Sequence, residues 1–154
     1  MDLGVTERVA TLLNAVREMI ENDIAPLDRE YHAEVGKHPS GNRFAMTDRQ
    51  LEIIDGLKAL ARKRNLWNFW LTGSDRGYGL STVEYAYLAE EMGKVPLAAE
   101  VFNCSAPDTG NMEVLERYGT QLHKDRWLGD LLAGRIQASR APCWVPMGVH
   151  EWTR

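Results

Sequence analysis

Between Val5 and Val35 the apolar residues Val5, Val9, Leu12, Val16, Met19, Ile20, Ile24, Leu27, Tyr31 and Val35 recur every three or four positions. That spacing lines one face of an α-helix, whereas the side chains of a strand alternate with a period of two. A chain that opens this way is set for helix packing unless a later segment supplies strands. No stretch of comparable length alternates apolar and polar residues before Ser139. The expected fold class is therefore all-α, a helical bundle followed by an irregular carboxy-terminal tail. Pro26 falls inside the first helical pattern. It removes one backbone hydrogen bond and sets its ring against the carbonyl of Asn22, so a kink or a break is expected there.

Local signals divide the remainder. His38-Pro39-Ser40-Gly41-Asn42 has loop composition. Thr47-Asp48-Arg49-Gln50 is a capping box, in which the threonine oxygen and the glutamine side chain each satisfy an orphan amide. It opens a second helix whose apolar set Leu51, Ile54, Leu57, Leu60 and Ala61 keeps helical spacing up to Leu66-Trp67. The short apolar run Phe69-Trp70-Leu71 follows. Ser81-Thr82-Val83-Glu84 is a second capping box, opening a third helix with Gly93 as an expected left-handed stop. Pro96 fits the first turn of a fourth helix and Pro107 its end. Asp108 and Thr120 are expected caps of two more, over 109–118 and 121–133, with Gly119 and Gly134 at their ends.

Composition narrows the function classes. The chain has 154 residues, 44% hydrophobic and 26% charged, which suits one folded domain with a sizeable core. A net charge of −4 gives no basic face for nucleic acid. The amino terminus lacks the apolar h-region of a signal peptide, and the two longest weakly charged stretches, Val95 to Pro107 and Ile136 to His150, fall short of the ~20 residues of a spanning helix. Two cysteines, Cys104 and Cys143, make no disulfide framework, and no His/Cys pair has zinc-ligand spacing, so a reducing compartment, cytoplasm or organelle matrix, is expected.

Several candidate sites reduce to ordinary structure. Gly73, Gly77 and Gly79 match neither a dinucleotide fingerprint nor a P-loop, and a helix-to-helix turn accounts for them. His32, His38, His123 and His150 have no partner at metal or triad spacing. Cys104 is expected as core packing in an apolar helix. The charges of the first helix, among them Glu7, Arg17, Glu18 and Arg29, describe a solvated face. The segment Asn103-Cys104-Ser105-Ala106-Pro107-Asp108-Thr109-Gly110-Asn111-Met112 differs, because small and amide residues surround a helix break in an apolar region. Two readings stand side by side there: an ordinary capped turn, or space between helices of the kind in which bundles hold ligands.

At these residues the chain also resembles a known family. Leu66-Trp67-Asn68-Phe69-Trp70-Leu71, Gly77-Tyr78-Gly79-Leu80-Ser81-Thr82-Val83-Glu84-Tyr85 and Leu88-Ala89-Glu90-Glu91-Met92-Gly93-Lys94 are similar to the amino-terminal helical domain of acyl-CoA dehydrogenases. The segment 103–112, Tyr118-Gly119-Thr120, Lys124, Arg126-Trp127-Leu128 and Leu131-Leu132-Ala133-Gly134 continue the likeness, which is nearest to the branch of family members 10 and 11. It covers roughly Val5 to Ser139 and is most specific from Leu66 to Gly134. The resemblance implies a flavoprotein that uses FAD to oxidise an acyl-CoA to the 2,3-enoyl-CoA, with a carboxylate taking the α-proton and the β-hydrogen leaving as hydride to the flavin. It also implies that these helices form one wall of the acyl cavity, which makes Asn103, Pro107, Asp108, Asn111 and Met112 the candidate substrate-binding residues. Partners so implied are an acyl-CoA substrate and further copies of the chain, since family members are often dimers or tetramers.

From Arg140 to Arg154 the pattern changes. Two prolines and two tryptophans fall in fifteen residues with no helical period, and the strand with a Met-Thr-Glu-Pro-like flavin motif that the family carries here does not occur. The expected organisation is a helical domain over 1–139 and a non-matching tail over 140–154, either an extended tail or a junction with unrelated sequence, for instance after a frame change or altered splicing. No flavin site and no catalytic glutamate carries over to any position. The expectation is a truncated relative that is inactive alone. A non-catalytic helical interaction module is the alternative.

Overall fold

The hydroxyl of Thr6 starts the first helix, α1 (Glu7–Met19), by accepting a hydrogen bond from the Val9 amide at 3.4 Å. This satisfies one of the donors that a helix start leaves orphaned. The computed structural model describes residues 5–42, 45–74 and 76–137, and among them there is no strand. The chain divides into two units, one ending at Phe102 and the other beginning at Asn103.

In the first unit Pro26 does not end the opening helix. The chain widens into a π-helical turn, Ile20–Ile24, in which the Ala25 amide donates to the Ile20 carbonyl five residues back, and α2 (Ala25–Ala33) follows with Pro26 in its first turn. A proline there forgoes an amide hydrogen that needs no intrahelical partner, so the wide turn absorbs the conflict that would otherwise arise at Asn22. Val9, Leu13, Val16, Met19, Ile20 and Ile24 are buried. The helix stops before Val35, which stays exposed.

The capping box at Thr47 is present in full, and α3 (Asp48–Lys63) buries Ile53, Ile54, Leu57 and Ala61. It ends three residues earlier than its apolar spacing suggests. Asn65 adopts a left-handed φ of 57°, the Leu66 amide donates to the Ala61 carbonyl and the Asn65 amide to that of Arg62. This Schellman arrangement pairs two late carbonyls and turns Leu66 into the core without a further helical turn. Phe69, Trp70 and Leu71 are then buried in irregular backbone that the Asn68 amide ties to the Phe102 carbonyl at 3.0 Å. The second capping box, at Ser81, is also complete and opens α4 (Thr82–Met92), which buries Leu88 and Met92. Gly93 follows with right-handed geometry, φ −66°, so the expected left-handed stop is not there. The fourth helix, α5 (Ala98–Val101), has only four residues. Pro96 lies in the turn before it, and Pro107 lies well past its end.

Polar links join these helices. The buried Glu91 carboxylate of α4 accepts from Arg17 of α1 at 2.6 Å and from Lys94 at 2.7 Å. The hydrogen bond from Arg17, then that from Lys94, holds this carboxyl below the ordinary range. Lys58, buried in α3, pairs with Glu100 of α5. Asp28 of α2 accepts the Leu97 amide at 3.0 Å, just before α5 begins.

In the second unit α6 (Asp108–Tyr118) starts directly after Pro107. Asp108 is its first residue rather than its cap, a position where a carboxylate faces the positive end of the helix dipole. Thr120 does cap the next helix, accepting from the His123 amide. The expected run over 121–133 is one helical path in three parts: α7 (Gln121–His123), a π-helical turn (Lys124–Leu128) and α8 (Gly129–Leu132). Leu128 and Leu131 are its buried side chains, Met112 is that of α6, and Gly134 closes the path at φ 66°.

Candidate functional site

The five residues singled out on α6 and before it fall at one place in the second unit. Asn103 stands immediately after α5 with a left-handed φ of 55°, a conformation asparagine tolerates better than most residues. Its side-chain amide nitrogen donates to the Leu131 carbonyl in α8 at 3.2 Å and lies 4.0 Å from the Met112 sulfur. One asparagine therefore ties the start of the unit to both later helices. Met112 is fully buried, Asn103 and Asp108 are buried, and Pro107 and Asn111 are half-buried. The Ala106–Pro107 peptide bond is cis. The Thr109 amide donates to the Ser105 carbonyl and the Asn111 amide to that of Pro107, each at 3.2 Å, so the first turn of α6 is closed from its own loop. Of the five, Pro107 and Asn111 are the more accessible. Cys104 is buried as expected, but in the non-helical segment between α5 and α6.

The other candidates resolve as structure. Gly73, Gly77 and Gly79 lie in the connection between α3 and α4. The Gly77 amide donates to the Ser74 carbonyl and the Gly73 amide to that of Leu80, so amides that would have to cradle a phosphate close the turn instead. His32 contacts the Asp28 carbonyl at 2.8 Å, His38 the Ser40 hydroxyl at 2.7 Å, and His123 packs on Trp127 with ring centroids 5.5 Å apart. No group of three His, Cys, Asp or Glu among the described residues is placed to hold a metal ion. No helix among them is long and apolar enough to cross a membrane. His150, Cys143 and the whole segment from Arg140 to Arg154 lie outside the described residues.

Among the described residues the glycine loop offers no phosphate cradle, and the first unit carries an open groove of about 300 Å³. That groove, lined among others by Arg8 and Arg64, has no local signature in the sequence, because its residues lie far apart along the chain.

Comparison with known proteins agrees with this helical arrangement. Residues 6–135 match the model of the acyl-CoA dehydrogenase amino-terminal domain. The chain is 41% identical over 140 residues to acyl-CoA dehydrogenase family member 10 of Mus musculus, covering 88% of this chain and 12% of that protein. It is 40% identical over 134 residues to family member 11 of Rattus norvegicus, covering 85% and 16%. Among solved structures, an acyl-CoA dehydrogenase-type protein from Mycobacterium abscessus superposes with a TM-score of 0.74 at 44% identity, over 87% of this chain and 33% of that one. The chain thus spans less than a fifth of the length of these two relatives and a third of the solved one.

Proposed function

Because the chain belongs to the acyl-CoA dehydrogenase family through its amino-terminal domain, we propose that the break between α5 and α6 supplies part of the wall of an acyl-CoA site. The reaction served would be the FAD-dependent α,β-dehydrogenation of the thioester. The observation that carries this reading is the placement of Asn103, Pro107, Asp108, Asn111 and Met112 around one helix start, with Asn103 fastened to the Leu131 carbonyl. Pro107 and Asn111 would meet the acyl chain. Asn103, Asp108 and Met112 would hold them in place, because a site is only as well defined as the residues behind it.

The 154-residue chain alone is expected to hold no flavin and to turn over no acyl-CoA, since its described residues form no dinucleotide cradle. Titration with FAD and then with octanoyl-CoA tests this. Saturable quenching of flavin fluorescence followed by bleaching on substrate addition would overturn the expectation. Retention of octanoyl-CoA by the chain, weakened by Asn111→Asp, which would set a charge against the acyl chain, would support the wall.

A second reading, a helical interaction module, is favoured by one observation: Tyr118 and Leu122 are 80% and 72% exposed, and Val114 one turn earlier is 44% exposed. Large apolar side chains left this open are a common mark of an interface. A stable complex with a protein partner, lost in Tyr118→Glu and formed without flavin, would favour this module over the acyl wall.

A further inference from the structure

The groove on the first unit has an apolar floor and a cationic rim. Arg8, Leu12 and Ala15 follow one another at intervals of four and three along α1, so they share one helix face. Opposite them stand Leu66 and Leu80, both buried, with the Tyr78 ring beside them. Two guanidiniums, Arg8 and Arg64, belong to the lining, and no carboxylate does. Each guanidinium is held by an acid that does not line the groove: Arg8 through Nη2 to Glu84 at 3.2 Å, with the Gly79 carbonyl at 3.1 Å, and Arg64 through Nη1 to Asp23 at 2.6 Å. Among the described residues these contacts use one nitrogen of each fork, so the rest of the fork remains for a ligand. A guanidinium already anchored at one nitrogen loses less freedom on binding than a loose one. The volume, about 300 Å³, sits at the lower end of small-molecule sites and suits a compact ligand.

From this arrangement we infer that the groove binds a compact carboxylate with an apolar body, of the size of a medium-chain fatty acid anion. The body lies on Leu12, Leu66 and Leu80 while the carboxylate meets Arg64 or Arg8. The inference is independent of the acyl-CoA reading, which concerns the second unit.

The test is a titration of the isotopically labelled 154-residue chain with sodium octanoate below its micelle concentration, read by amide chemical shifts. Saturable shifts confined to residues 11–15, 64–66 and 78–80 are expected. Arg64→Gln or Arg8→Gln, whichever removes the guanidinium that the carboxylate meets, should weaken binding roughly fivefold, because it removes the one charge-assisted contact at an exposed site. Neither change should move the urea midpoint appreciably. Octanamide, with the same body and no charge, should bind more weakly than octanoate by a similar factor. Equal binding of octanamide, an unchanged affinity in both arginine variants, or shifts centred on Tyr118 and Leu122 would each overturn the assignment. So would the absence of saturation.

Discussion

An alanine at Gly77 would carry its methyl carbon 2.3 Å from the Leu71 carbonyl oxygen and 3.1 Å from the Leu71 Cβ, where ordinary contact begins at 3.4 Å. The obstacle is backbone, so no rotamer change relieves it, and Leu71 is itself buried between Trp70 and the turn that follows. The loop must therefore retreat by about 1 Å, or the 66–71 segment must leave its packing, an overpacking cost of roughly 2–4 kcal/mol. At the ~2–4 °C per kcal/mol usual for a chain of this size, the melting temperature should fall by about 5–15 °C. Thermal and urea unfolding followed by far-ultraviolet circular dichroism would measure it. Gly56 provides the contrast. It lies exposed within α3 with nothing within 4 Å of an added Cβ, so Gly56→Ala should gain about 0.5–1 kcal/mol from helix propensity. If Gly77→Ala unfolded within about 0.5 kcal/mol of the parent, while Gly56→Ala stabilised as stated, the close approach at Leu71 would not constrain the fold.

The Lys58–Glu100 pair predicts an asymmetry: Glu100→Ala strands a nearly buried ammonium and should cost about 3 kcal/mol, whereas Lys58→Met should be close to neutral. Equal losses in urea unfolding would count against it. Glu91, whose folded pKa is depressed, contributes stability that is fully present above the ordinary carboxylate value of about 4.3 and lost as pH falls through its lower folded value. Its contribution is discounted to about 1 kcal/mol because Arg17 and Lys94 are roughly half exposed. Glu91→Gln should accordingly flatten the acid limb of the stability profile, and a limb parallel to that of the parent would refute the linkage. At the candidate site, Asn103→Asp cannot donate to the Leu131 carbonyl and should destabilise by about 1–3 kcal/mol, more than Asn103→Gly, which keeps the left-handed φ at ease. Hydrogen exchange of the α8 amides would rank the two.

What the sequence discloses here is what lies within a few residues. Both capping boxes and the Thr120 cap were readable because donor and acceptor sit three positions apart. The early end of α3 was not, since the apolar spacing runs on to Leu66 although the chain reaches that position through a left-handed Asn65. Gly93 misled for the converse reason: glycine permits a left-handed stop without requiring one. The break at Asn103 to Met112 was visible as composition. What makes it a defined place, the bond from Asn103 to a carbonyl 28 residues on, has no local signature. A still longer separation in sequence hides the groove between α1 and the residues around Arg64 and Tyr78.

The wide turn at Ile20–Ile24 amounts to one residue more than a regular helix would use over the same rise. Removing a single residue from it would leave a regular helix over the same rise, so everything beyond would keep the face it now presents and Asp28 would still meet the Leu97 amide. The cost would fall on Pro26, which would then sit inside an unbroken helix rather than in a first turn. A one-position gap between related chains at 20–24 should therefore coincide with the loss of that proline, while the residue that serves α5 stays in place.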